Sequence, residues 1–160
     1  MQSTGQKSRT ISLYGPDPAE AKKGAFLWLD ALRTGHDTID RQHQDLYESF
    51  RGISQLLEDP DISMNYWFGM VMRKTDDYVL THFTDEEKLM ATVSYPDQHK
   101  HKLQHMEIIE TLKRHQATIK QLKTDGEKVA EARNLLQFMN DWLNTHVLEE
   151  DKALVAFINR

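Results

Sequence analysis

The chain has 160 residues, of which 39% are hydrophobic and 28% charged, and its formal net charge is -5. These values describe one ordinary globular domain and, without a dense basic stripe, argue against nucleic acid as the main partner. The absence of cysteine excludes disulfides, thiolate metal sites and cysteine nucleophiles. No apolar run approaches the roughly 18 residues of a membrane span, and the N-terminus lacks the apolar core of a secretory signal. We therefore expect a cytoplasmic protein.

Residues 1–24 are predicted to form an irregular arm. They are rich in Ser, Thr, Gly and Gln, and Pro16 and Pro18 discourage a helix, although one helical turn near 19–23 stays open. The apolar segment 25–32 is compatible with either a strand-like or a helical conformation. We expect the folded domain to occupy 25–160.

Four amphipathic stretches follow, and each has the apolar spacing of a helix with one buried face. The predicted helices cover about 37–57, 64–90, 97–123 and 127–146, with a short helical extension over 151–159. Predicted N-caps are Asp37 or Asp40 for the first helix and Asp61 or Ser63 for the second. Because the connections are short, the fold class is all-α: an up-down-up-down antiparallel four-helix bundle.

Histidines and carboxylates fall on the predicted inner faces of these helices. His82 and Glu86 are four residues apart, as are His101 and His105, and such pairs present their side chains in one direction on a helix. His43 lies on the apolar stripe of the first helix, and His146 lies at the end of the fourth. In an up-down-up-down bundle all of these positions meet at the same end.

This convergence predicts a metal site. A lone histidine on an apolar stripe is more often a hydrogen-bonded core residue, and a single HxxxH is a weak signal. Burying five imidazoles and a carboxylate without partners, however, would cost several kcal/mol. The donors are too many for one tetrahedral zinc ion and suit two ions of iron, zinc, manganese or copper.

Asp151 is a further candidate ligand with an awkward spacing. It follows His146 by five residues, which places it roughly 140° away around an ideal α-helix. It reaches the same site only if the helix is locally distorted or its side chain extends into the interior of the bundle. The Glu-x-x-His pattern of ferritin-like di-iron bundles is absent from the chain.

Four segments resemble the hemerythrins, particularly the single-domain bacterial ones: IDRQH (39–43), HFTDE (82–86), YPDQHKHKLQH (95–105) and HVLEED (146–151). The resemblance implies a non-haem di-iron centre that binds O2 reversibly. It also implies the ligand set. His101, His105 and His146 would hold one iron and His43 and His82 the other, with Glu86, Asp151 and a solvent-derived oxo or hydroxo group bridging the pair.

Five apolar residues lie within about one helical turn of the candidate ligands and are predicted to wall a dry O2 pocket: Leu46, Phe83, Trp142, Leu143 and Val147. Ordinary core packing is the alternative role, and both can hold. His99 and His115 are expected at the surface. For His36, just before the first helix, a role beside the ligands or at the mouth of the site stays open.

The leading hypothesis is an O2-binding protein for storage, delivery or sensing rather than an enzyme. The main alternative is a di-iron oxidoreductase acting on peroxide or nitric oxide, which would need a proton donor in the pocket wall. Tyr47 would provide one if it points inward. A sensory module is the third reading, although the chain contains no effector domain. A protein partner for O2 delivery or signalling and the oligomeric state are left open.

Overall fold

The computed structural model of the chain describes residues 26–160. The predicted arm over 1–24, including the helical turn near 19–23, lies outside the described residues. The apolar segment that follows is described from Phe26 onwards, and its only regular element is a 3-10 turn at Asp30–Leu32.

Helices account for the rest of the described architecture. They are α1 (Asp37–Leu56), α2 (Met64–Tyr78), α3 (Thr84–Thr92), α4 (Gln98–Gln121), α5 (Asp125–His146) and α6 (Lys152–Ile158). A π-helical segment, Val79–Phe83, joins α2 to α3, and a second one, Val147–Asp151, joins α5 to α6. The four helices of the bundle are thus α1, α2–α3, α4 and α5–α6. The prediction of an all-α four-helix bundle is confirmed.

Polar side chains cap the beginnings of three of the bundle helices, α1, α2 and α5. At α1 the cap is His36, whose Nδ1 accepts a hydrogen bond from the Ile39 backbone N–H at 3.4 Å. The predicted caps for this helix were therefore wrong, because Asp40 instead accepts hydrogen bonds from the backbone of the preceding turn. Ser63 caps α2 as one of two predicted candidates. Thr124 forms a capping box with Glu127 at the start of α5.

The connection between α3 and α4 reverses the chain next to the candidate ligands. The N–H of Tyr95 donates to the carbonyl of Met90 at 2.9 Å, and the N–H of Ser94 donates to that of Ala91 at 3.3 Å. Ser94 has a positive φ of 51°, so α3 ends in a Schellman motif built on a residue with a side chain.

Two clusters of buried apolar residues lie on either side of the candidate ligands along the bundle. The main core includes Phe50, Trp67 and Phe83, and a smaller cluster is formed by Met90, Tyr95 and Leu154. Along the sequence, Glu86 of α3 lies between Phe83 of the main core and Met90 of the smaller cluster. Apolar packing therefore encloses the polar site on two sides. None of the helices in residues 26–160 has the length and apolarity that crossing a bilayer requires.

Candidate metal centre

All seven predicted ligand residues meet in the interior of the bundle. Each is at most 2% exposed to solvent, and together they come from all four bundle helices. They are His43, His82, Glu86, His101, His105, His146 and Asp151. Charged and imidazole side chains are rarely buried this completely without partners, so the cluster itself requires an explanation.

The donor atoms form two overlapping groups. The first contains Glu86, His101, His105 and His146, and the second contains His43, His82, Glu86 and Asp151. Within each group the donor atoms lie within 4.8 Å of one another. Glu86 belongs to both groups, so the arrangement has two centres that share a carboxylate.

Asp151 lies between the two groups of histidines. Its Oδ2 is 3.0 Å from Nε2 of His43, while its Oδ1 is 3.2 Å from Nε2 of His101 and 3.1 Å from Nε2 of His146. Two donor atoms that are each about 2.1 Å from one cation and at right angles around it are about 3.0 Å apart. The carboxylate is therefore placed so that one oxygen can face each centre.

The two π-helical segments coincide with the ligands. His82 lies in the segment Val79–Phe83, and Asp151 ends the segment Val147–Asp151. In a π turn the backbone hydrogen bonds run from i to i+5, so the turn is wider than in an α-helix, and such turns occur mostly at functional sites. The distortion brings Asp151 to the same side as His146, which an undistorted α-helix would not do.

Most of the buried donor atoms lack hydrogen-bond partners among residues 26–160; the exceptions are Nε2 of His43 and Nε2 of His82, which lie 3.1 Å from each other. The unpaired atoms include both carboxylate oxygens of Glu86 and of Asp151 and the Nε2 atoms of His101, His105 and His146. The distances from these Nε2 atoms to the carboxylate oxygens are 3.1–3.4 Å. The atoms are therefore close together, but they are not aligned as hydrogen bonds. Because unpaired buried charges are so costly, the donor set fits cations bound at two adjacent positions.

The electrostatics keep the carboxylates in the form that binds cations. Burial and Asp151 raise the pKa of Glu86, but His82 and close contacts with two further histidines outweigh them and lower it to about 2. Burial lowers the pKa of His82 to about 4, so this ring is neutral at pH 7. Burial also opposes the charge on His101, but Asp151 and Glu86 raise its pKa to about 9. A cation must therefore displace a proton from His101.

Three histidines are held through their Nδ1 atoms by side chains outside the donor groups. The Nδ1 of His82 is 3.0 Å from Oε1 of Gln42, and that of His146 is 2.8 Å from Oε1 of Gln104. The Nδ1 of His105 is 3.3 Å from Oε1 of Glu87. An amide or carboxylate oxygen accepts here, so the proton lies on Nδ1 and the lone pair of Nε2 faces the centre.

The hydrogen bonds of Gln104 continue outward to the surface. Its Nε2 donates to Glu150 Oε1 at 2.9 Å, and Lys100 Nζ donates to the same oxygen at 2.6 Å. Glu150 is itself 5% exposed. Gln104 is thus held from both ends, which restricts the rotation of the His146 ring.

Aromatic rings cover the same three imidazoles. Phe83 stacks on His105 with ring centroids 3.7 Å apart and an interplanar angle of 6°. Trp142 stacks on His146 at 4.4 Å and 12°, and Tyr78 stacks on His82 at 4.5 Å and 19°. These rings exclude water from one side of the centre.

An apolar cavity of about 20 Å³ lies beside these rings. Four of the five residues predicted to wall an O2 pocket line it, namely Leu46, Phe83, Trp142 and Leu143; Val147 is buried in the adjoining core but is not among the lining residues. A site needs roughly 10–15 Å³ to hold one water, so the cavity has room for one small molecule.

The remaining predictions about individual residues have mixed outcomes. Tyr47 points inward and is 0% exposed, and its hydroxyl donates to Asn144 Oδ1 at 2.7 Å. His36 caps α1, and His99 is exposed as expected. His115 is partly exposed at the surface, where its Nδ1 is 2.7 Å from Oε1 of Glu131.

Sequence reasoning missed Tyr78 and the residues that orient the histidines. The available signals were local: Gln42 and Gln104 each immediately precede a candidate ligand, and Tyr78 precedes His82 by one helical turn. Adjacent residues on a helix point in different directions. Adjacency alone therefore did not indicate that either glutamine reaches the ligand of another helix.

The fold and the site together define a class of protein: a four-helix bundle whose end holds two adjacent centres built from histidines and shared carboxylates. The family model described as "Hemerythrin HHE cation binding domain" matches residues 34–158. The chain belongs to the hemerythrin family.

Named relatives agree with this membership. A bacteriohemerythrin of Clostridium acetobutylicum is 29% identical over 81% of this chain and 98% of its own length. A myohemerythrin of Theromyzon tessulatum is 27% identical over 79% of this chain and 88% of its own. A bacteriohemerythrin of Stenotrophomonas maltophilia is 28% identical over 80% of this chain and 78% of its own. The bacterial hemerythrin resemblance is thereby confirmed.

Proposed function

We propose that this chain binds O2 reversibly at a non-haem di-iron centre, for oxygen storage, delivery or sensing. The observation that carries the proposal is the pair of overlapping donor groups, in which both carboxylates and the Nε2 atoms of three histidines have no hydrogen-bond partner among residues 26–160. Hemerythrins are di-iron O2-binding proteins, and imidazole and carboxylate donors suit iron. We also infer a cytoplasmic location from the sequence.

The ligand roles follow the two groups. His101, His105 and His146 would hold one iron ion, and His43 and His82 would hold the second. Glu86 and Asp151 would bridge the two. The first ion would have one more imidazole ligand than the second, so a small ligand would bind on the side of His43 and His82. When bound, a pair of ferrous ions supplies the electrons that O2 takes up on binding.

The residues around the centre favour reversible binding. The lining of the cavity is apolar, and the aromatic rings of Phe83 and Trp142 cover two of the histidines. A dry pocket of this kind limits proton delivery and thereby slows irreversible reduction of a bound ligand. The hydroxyl of Tyr47 is held by Asn144, so this phenol is not a free donor.

One spectrum tests the proposed function. Anaerobically reduced protein with two irons per chain should be nearly colourless and gain a visible charge-transfer band on exposure to O2. The band should disappear under argon and return with O2. Protein that oxidises without passing through such a reversible band would contradict O2 carriage.

The ligand assignment has its own test, based on bound iron. His101→Ala removes a donor that faces both carboxylates, and we expect bound iron to fall to one or none per chain. His99→Ala is the matched control, because His99 lies on the exposed side of the same helix and should leave two irons in place. Iron is counted by elemental analysis of protein of known concentration. Two irons retained in the His101 variant would refute the assignment.

A di-iron oxidoreductase acting on peroxide or nitric oxide is the second candidate. The observation in its favour is that two phenols, Tyr47 and Tyr78, are buried near the site. Burial and the charge of Asp151 raise the pKa of both hydroxyls, which makes them poor acids. Oxidation without a reversible O2 band, together with turnover of peroxide or nitric oxide, would favour this candidate.

A further inference from the structure

Tyr78 carries a buried hydroxyl group that the proposed ligand set does not use. The residue is 8% exposed, and its hydroxyl has no hydrogen-bond partner among residues 26–160. Leaving a buried donor unpaired costs about 1–3 kcal/mol. A partner that the protein itself does not provide is therefore expected at this position.

The surroundings of Tyr78 place it beside the half of the centre with fewer imidazoles. Its ring stacks on His82 and packs edge-on against Phe83, with centroids 5.1 Å apart. The same ring lines the apolar cavity. Leu46 and Tyr78 also line a groove on the outer surface between α1 and α2, so these two side chains separate the cavity from solvent.

Tyr47 provides the contrast. It is also buried, at 0% exposed, but its hydroxyl already donates to Asn144 at 2.7 Å. Of these two buried phenols, only Tyr78 has a proton available for a further acceptor.

We propose that Tyr78 is a ligand-binding residue whose hydroxyl donates a hydrogen bond to a small ligand held between the cavity and the His43–His82 half of the centre. The ligands it favours are molecules of two or three atoms that carry negative charge on an accepting atom when bound. O2 that has taken up electron density and inorganic azide both belong to this class. This inference rests on the proposed di-iron function and adds a polar contact to a pocket that is otherwise apolar.

Azide is a suitable probe, because it is a small anion whose binding to oxidised iron can be followed by absorption. Tyr78→Phe removes only the hydroxyl and keeps the ring that covers His82, so two irons should remain bound. We expect its azide dissociation constant to rise about tenfold, as for loss of one hydrogen bond to a charged acceptor. Tyr47→Phe is the matched control and should bind azide within about twofold of wild type.

A vibrational measurement separates a hydrogen bond from a change in packing. The azide stretching band of the wild-type complex should shift when H2O is replaced by D2O, and this shift should vanish in Tyr78→Phe. An unshifted band in wild type, or equal shifts and affinities in both proteins, would overturn the role of Tyr78. The proposed di-iron function fails separately, if reduced wild type with two irons shows no reversible O2 band, so the two failures are distinguishable.

Discussion

Gln104 shows how much of the site depends on residues that are not ligands. Its Oε1 accepts from His146 Nδ1 at 2.8 Å, and its Nε2 donates to the buried Glu150. The hydrogen bond fixes both the tautomer and the ring plane of a ligand. Partners of this kind typically change metal affinity by roughly 10–100-fold when they are removed.

Gln104→Leu should therefore weaken iron binding by about 10–100-fold, because His146 loses its acceptor and Glu150 loses a donor. Competition with a chelator of known affinity measures the effect. Gln137→Leu is the control, since Gln137 is exposed and, within residues 26–160, its side chain bonds only to Asp141 on the same helix. Equal iron affinities for the two variants would show that the hydrogen bond of Gln104 does not support the site.

For individual residues, the sequence predicted which side chains face the site better than it predicted the contacts that these side chains make. The spacing of His82 with Glu86 and of His101 with His105 was enough to place four donors on inner faces, because helical periodicity is a local property. The partners of Nδ1 come from other helices, and their contacts depend on packing angles that one sequence does not reveal. Tyr78 was missed for the same reason.

The elements of the fold carry two kinds of departure from regular helix, namely the π segments and the left-handed residue Ser94, and both serve the site. The π segment Val147–Asp151 turns Asp151 towards His146. The five-residue spacing from His146 indicated that Asp151 reaches the site only if the helix is distorted or its side chain extends inward. The sequence did not show which of the two occurs, because no residue pattern distinguishes an i+5 turn from an α-helix. The helix boundaries themselves were predicted to within a few residues from apolar spacing, turns and caps.

The second departure is the left-handed conformation of Ser94, which ends α3 and returns the chain towards His101. A residue with a Cβ costs about 1–2 kcal/mol in this conformation, whereas glycine adopts it freely. Ser94→Gly should therefore stabilise the fold by about 1 kcal/mol, measured from urea unfolding of the metal-free protein. Ser94→Ala keeps the Cβ and should give no such gain. A glycine variant less stable than the alanine variant would contradict the strain.

In the whole molecule, the metal centre connects all four bundle helices. Glu86, His101 and Asp151 are 0% exposed, and they lie on three different stretches of the bundle. Without cations the mutual repulsion of the two carboxylates and the loss of their hydration oppose folding. With cations the same residues cross-link the helices, so iron binding and folding are coupled.

Removal of iron should therefore lower the thermal stability of the protein. A ligand that binds only the folded state stabilises it in proportion to the logarithm of its excess over the dissociation constant. A stabilisation of about 3 kcal/mol would correspond to roughly 6–12 °C in Tm for a chain of this size. Calorimetry of iron-loaded and chelator-treated protein measures the difference.

His101→Ala, treated with iron in the same way, should gain much less thermal stability because its ligand set is incomplete. If wild type unfolds at the same temperature with and without iron, the buried donors are compensated within the protein, and the cation is not what holds this end of the bundle together.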